Sequence, residues 1–150
     1  MSWNPLVAQP GIVTRLVTLT QTGPDAWCRR VAARKELQAI TEEMQVTPAL
    51  YVVYDTFRVL AADEFETTLQ HRWFVVLALK DAASQRDAAP LADDAGPLLS
   101  KVMDALIGFV APGCSTPLIL ATPPRPYFAP ATFAYHPLAF THESYHCTGA

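Results

Sequence analysis

The stretch from Gln70 to Ala111 constrains the fold more than any other. It reads QHRWFVVLALKDA, then a polar linker, then DDAGPLLSKVMDALIGFVA. Side chains alternate faces along a strand, so the unbroken apolar run from Trp73 to Leu79 predicts a central strand covered on both faces. The later segment predicts an amphipathic helix. Leu98, Leu99, Val102, Met103, Leu106 and Val110 recur at helical spacing. Asp93 and Asp94 suit the positive end of the helix, Pro97 suits its first turn, and Pro112-Gly113 predicts its stop. No nucleophile, phosphate loop or metal-ligand cluster lies between these two elements. A chain that specifies its best segment this way reads as a building block rather than an enzyme.

The flanking sequence extends the pattern. Ile12, Leu16 and Leu19, with Val13 and Val17 beside them, predict a helix over Gly11–Leu19, although the valines and threonines leave a strand open. QTGPD (Gln21–Asp25) is a turn. Trp27–Ala33 is ambiguous between strand and helix. Leu37, Ile40 and Met44 line one side of a short helix over Lys35–Met44, which ends before Pro48. ALYVVYDTFRVL (Ala49–Leu60) is rich in β-branched and aromatic residues and predicts one arm of a hairpin. Its turn is Ala61–Glu64, and Phe65–Lys80 returns as the second strand. DAASQRDAAPLADD (Asp81–Asp94) reads as a long polar loop.

Seven of the 13 prolines fall from Pro112 to Pro137, so the last third changes character. TPLILATPPRPY (Thr116–Tyr127) should be extended, with polyproline II around Pro123–Pro126. TFAYHPLAFTHESY (Thr132–Tyr145) predicts a final strand that Pro137 confines to an edge or bulge. The order helix, ambiguous segment, two strands, helix, extended segment, strand predicts the α+β class: a single mixed or antiparallel sheet with two main helices packed on one face. At 150 residues the chain is expected to form one domain, residues 1–150, with residues 1–10 and 146–150 as flexible ends.

Bulk properties narrow the function classes. Hydrophobic residues make up 51% and charged residues 17%, which is apolar for a small free-standing domain and suits a protomer that covers surface against partners. A net charge of −3 argues against a binder that grips the DNA backbone without sequence preference. Cys28, Cys114 and Cys147 are odd in number and widely spaced, which is no disulfide framework. The amino-terminal residues lack the charged and uninterrupted apolar regions of a signal peptide, and no apolar run approaches the roughly 18 residues of a membrane span. These features predict a protein made in a reducing cytoplasm, with no membrane partner.

Candidate chemistry is sparse. His136, His142 and His146, with Cys147, could suggest a metal site, but structural zinc wants close Cys/His pairs from two places and these come from one strand. His71 with Asp55 or Glu64 across the hairpin could be an acid/base pair; the plainer reading is a polar residue on the exposed end of a strand. Cys28 precedes two arginines that could lower its thiol pKa, against the commoner case of a half-buried structural cysteine. The serines lack the glycine context of a nucleophile elbow, and AGPLLS lacks the lysine and paired glycines of a phosphate loop. No catalytic residue, metal or cofactor is therefore expected. PPRPYF (Pro123–Phe128) stands out as an interaction candidate, because a rigid proline segment ending in two aromatics can lie against a partner at low entropic cost. Equally, it can simply cross the sheet edge.

The ordered set PALYVVYD, QHRWFVVLALKDA, AGPLLSKVMDALIGF, PPRPYF and YHPLAF resembles bacteriophage tail terminator (tail completion) proteins. It looks most like the group in Mu-like and related long-tailed phages. The resemblance spans roughly Thr47 to Phe140. It implies a structural virion protein, not an enzyme, whose subunits form a ring, usually a hexamer. Such a ring caps the last tube ring, blocks further polymerisation, and offers a surface to the head–tail connector at the tail–head junction. The implied partners are copies of the chain itself, the tail tube protein and the connector protein, with DNA passing through the lumen without specific binding. The subunit would be made in the host cytoplasm. Contact residues expected on this reading are Arg125, Tyr127 and Phe128, with Arg86 and Asp87 in the polar loop. Alternatives are another neck or head–tail connector subunit, a small metal-dependent enzyme using the carboxy-terminal histidines, or a small-ligand binding module.

Overall fold

Three long strands, each with a continuous apolar stretch, set the architecture. The elements run α1 (Ala8–Leu16), a π-helical continuation (Val17–Gln21), β1 (Arg30–Arg34), β2 (Ala49–Ala62), β3 (Glu66–Lys80), α2 (Gly96–Leu106), β4 (Ile119–Ala121), β5 (Tyr127–Phe128) and β6 (Phe133–Cys147). The computed structural model describes Asn4 and residues 6–36, 46–80, 95–128 and 133–147. Most of the expected Lys35–Met44 helix, the polar loop Asp81–Asp94 and the helix-start pair Asp93 and Asp94 fall outside the described residues.

The strands form one six-stranded sheet in the order β1-β2-β3-β6-β4, with β5 also beside β6. β1 runs parallel to β2, and the remaining pairs are antiparallel, so the sheet is mixed. Trp73, Val75 and Leu77 of β3 point to the helix side, where they join Leu50 and Val52 of β2, Leu138 and Phe140 of β6, Ile12 and Leu16 of α1, and Val102 and Leu106 of α2 in one core. Both helices therefore pack on the same face, as the α+β expectation had it. Phe74, Val76 and Ala78 point the other way and join Tyr51, Val53, Tyr135 and Ala139 in a second buried cluster. Burial on both faces explains the unbroken apolar run of β3. Each fully buried large side chain contributes roughly 1.5–3 kcal/mol relative to exposure.

Several boundaries differ from the sequence reading. The first helix starts at Ala8 rather than Gly11 and continues to Gln21 with a π turn, where the Thr20 hydroxyl donates to the Leu16 carbonyl at 2.7 Å. Gly11 lies inside the helix because its missing Cβ admits the chain around Pro112; an added Cβ would sit 2.8 Å from the Pro112 Cδ. The second helix ends at Leu106, short of Val110. Beyond it Gly108 takes φ +84°, and the Gly108 and Leu118 amides exchange bonds with the Leu118 and Phe109 carbonyls at 2.8 and 2.9 Å. That local pairing outcompetes another helical turn. Pro137 does not confine β6 to the rim: β6 lies between β3 and β4. Its outer ladder lapses there, however, because β5 pairs with Ala134–Tyr135 and β4 with Ala139–Thr141, so the missing amide falls in the gap. The ambiguous Trp27–Ala33 segment resolves as the parallel strand β1.

Candidate functional site

Halfway along, the three long strands leave the core. Residues 49–53 of β2 are buried, whereas Asp55–Ala62 are exposed throughout. Burial also falls off on β3 below Leu69 and on β6 beyond His142, where the residues are half-buried or exposed. The ladder nevertheless continues: Thr56–Ala62 pair with Thr67–Arg72, and Glu66–Gln70 pair with Glu143–Cys147. The result is a three-stranded arm. Register shifts at Tyr54/Thr56 and Val59/Ala61 mark bulges on its β2 edge, which twist an otherwise open edge. At the tip, the Asp63 carboxylate accepts the amides of Phe65 and Glu66 at 2.7 and 2.8 Å. Those two bonds fasten the turn and lower the Asp63 pKa. The arm is unusually apolar for a surface element. Phe57, Val59, Phe65 and Tyr145 are 48%, 52%, 66% and 51% exposed.

At the arm's root lies a buried polar cluster. His71 and His142 face each other across β3 and β6, with rings stacked at 5.0 Å. The Tyr54 hydroxyl meets His71 Nδ1 at 2.9 Å, and His71 Nε2 meets Ser144 Oγ at 2.5 Å. Trp73 Nε1 donates to His142 Nε2 at 3.0 Å. An Nε2 that accepts must be unprotonated, so neutral His142 carries its proton on Nδ1, which meets no hydrogen-bond partner among the described residues. Burial, and then the neighbouring His71, push the His142 pKa down to about 4; burial likewise lowers that of His71. Tyr54 packs edge-on against Trp73 with centroids 4.7 Å apart. Both rings are thus neutral imidazoles clamped between three strands.

This arrangement corrects the reading of His71 as an exposed strand-end residue, since it is fully buried. Its partners are also different from those expected. Asp55 instead lies 3.8 Å from Arg72 Nε. The Ser144–His71–Tyr54 chain has the outline of a nucleophile–base–orienter set. Its third group is a phenol whose pKa is raised by burial and by Asp55, so it offers an imidazolium no counter-charge. The cluster works as a structural lock. The three carboxy-terminal histidines do not converge either. At a strand rise of roughly 3.3 Å per residue, His136 and His142 are about 20 Å apart along β6, and His142 and His146 about 13 Å. Among the described residues no group of three or more His, Cys, Asp or Glu could hold a metal. Cys28 is buried and its thiol pKa is raised by that burial, opposite to an activated thiolate.

The PPRPYF segment runs beside β6. Arg72 Nη2 donates to the Thr122 carbonyl at 2.6 Å, tying the segment to the arm's root. Arg125 is exposed. Tyr127 is half-buried, stacked on Tyr135 with centroids 4.9 Å apart, and its pKa is pushed up to about 12. Phe128 pairs through its backbone with Ala134. Arg86 and Asp87 fall outside the described residues. The expected contact residues therefore separate into an exposed arginine, an inward-stacked tyrosine and a strand residue. The arm, with Phe57, Val59 and Phe65, was not singled out from sequence.

A family model described as phage tail terminator protein matches residues 14–146. No curated protein matches the chain. The match covers the end of α1, all of α2, and the arm up to His146 with its histidine root, and the chain belongs to the phage tail terminator family. It is accordingly a structural protein of the phage tail, from a family of structural components rather than enzymes.

Proposed function

We propose that this member of the phage tail terminator family assembles into a ring, of six subunits, that caps the completed tail tube. The ring stops tube polymerisation and presents its other face to the head–tail connector, with DNA later passing through the lumen without specific binding. It acts at the tail–head junction of the virion after assembly in the host cytoplasm. The family match over residues 14–146 carries this reading. The rigidly rooted apolar arm supports it, because monomers seldom leave such surface uncovered. A net charge of −3 per subunit, repeated around a ring, gives an acidic assembly that does not hold DNA. Arg125, Tyr127 and Phe128, with Arg86 and Asp87, are the proposed contacts to the tube or connector.

The test is polymerisation of the tail tube protein followed by light scattering. The reading expects substoichiometric amounts of this chain to halt elongation, since one ring blocks one growing end. Elongation that proceeds unchanged would contradict termination and would favour a connector subunit that binds the head side.

A further inference from the structure

Two apolar surfaces at different places on the protomer carry complementary charge. One is the arm tip, where Phe65 is 66% exposed between Glu64 and Glu66, with the Asp63 carboxylate fixed in the same turn. The other is a groove of about 580 Å³ on the outer side of α1, walled by Val7, Pro10, Phe109, Val110 and Pro112. Arg15 is the charged residue in the lining. Its guanidinium lies over the Phe109 ring at 5.0 Å, and its Nε donates to the Ala105 carbonyl at 3.0 Å. A guanidinium has five N–H donors, and this bond uses one. An apolar slot with a cation in its lining suits an aromatic side chain flanked by carboxylates.

The arm cannot fill its own groove. Its eight outer β2 residues, Asp55–Ala62, extend about 26 Å at roughly 3.3 Å per residue. The continuous ladder to β3 and β6, clamped at the His71–His142 root, keeps it from folding back. Any arm tip seated in the groove must therefore come from another molecule.

We propose that the arm tip of one protomer, led by Phe65, seats in the Arg15 groove of a second copy of the chain. The two patches differ, so the contact is head-to-tail, and repetition by a fixed rotation closes a ring. This inference rests on the ring reading above and supplies its subunit contact. Phe65 is the apolar anchor, and the tip carboxylates pair with Arg15.

Cysteine pairing tests it. Glu64 and Val110 are both exposed, so replacing them leaves the core and the Phe65 anchor untouched. A Glu64→Cys/Val110→Cys chain, with Cys114→Ser and Cys147→Ser to remove the accessible native thiols, is assembled on tail tubes and oxidised with glutathione disulfide. The proposal expects a ladder of covalent multimers up to the full ring on a non-reducing gel, absent from each single-cysteine chain. It also expects Phe65→Ser to weaken assembly by roughly tenfold or more, as loss of an aromatic anchor does. Rings seen by microscopy without the ladder, or an internal disulfide within monomers, would overturn the arm-to-groove contact while leaving the ring reading intact. Failure of the unsubstituted chain to form rings on tubes would overturn both.

Discussion

The inner and outer halves of the same three strands make an instructive pair. Both halves have the same backbone ladder, yet β2 passes from fully buried at Val52 to exposed from Asp55 onward. The inner half is held by packing on both sheet faces. The outer half has little to pack on and depends on its ladder, the Asp63 turn and the lock at His71 and His142. Inner residues should therefore govern stability, outer residues assembly, and the root should couple the two.

The comparison can be broken first at Trp73. It is fully buried, packs against Tyr54 and donates to His142. Trp73→Ala should cost about 3–5 kcal/mol by urea denaturation; a cost below about 1 kcal/mol would mean that the inner half does not dominate stability.

The root predicts a pH signature. The His142 pKa is pushed below its ordinary value to about 4. Between those values the unfolded chain binds a proton that the folded chain refuses, so stability is highest above pH 6.5 and falls as pH drops towards 4. The loss is below about 3 kcal/mol once solvent screening is allowed for, and nowhere exceeds about 1.4 kcal/mol per pH unit. In His142→Phe this component should vanish from denaturation curves taken across that range. An unchanged slope would assign the pH dependence to other groups.

A third effect is smaller and sharpens the account of the helix layer. Gly11→Ala places a Cβ 2.8 Å from the Pro112 Cδ and 3.0 Å from the Ala111 Cβ. Moving that loop should lower stability by about 1–3 kcal/mol, outweighing the better helix propensity of alanine. A rise in Tm would show that the loop yields freely.

At the arm tip the expected stability change is smallest. Phe65→Ser should leave the urea midpoint almost unmoved, within about 0.5 kcal/mol, because Phe65 is mostly exposed. Asp63→Ala should act locally, speeding hydrogen exchange at the Phe65 and Glu66 amides that its carboxylate now holds. Global destabilisation by either change would erase the division between the halves.

Much of the inner half was legible in the sequence. The Trp73–Leu79 run, the β-rich Ala49–Leu60 segment and the Pro97-led helix each carry a periodicity that burial enforces. β1 was not legible, because RVAAR is too short and mixed to show alternation, and its parallel pairing is set by distant residues. The outer half looked like ordinary hairpin. Phe57, Val59 and Leu60 are apolar at strand positions, and no local signal tells a covered strand from a projecting one. The histidine lock had one usable clue. His71 lies two residues before Trp73, and His142 two residues after Phe140; antiparallel pairing of Trp73 with Phe140 brings the two imidazoles face to face. That clue becomes readable only once the register is known. Within PPRPYF, composition marks Tyr127 as an aromatic but gives no sign of its stacking on Tyr135, which depends on the β5–β6 register.

The most direct test is negative-stain microscopy of tail tubes incubated with either the unsubstituted chain or Phe65→Ser. The account predicts a ring on one end of each tube with the first, and bare ends with the second despite its intact fold. Bare ends with the unsubstituted chain would contradict the terminator role. Equal capping by both would contradict the arm as the element that builds the ring.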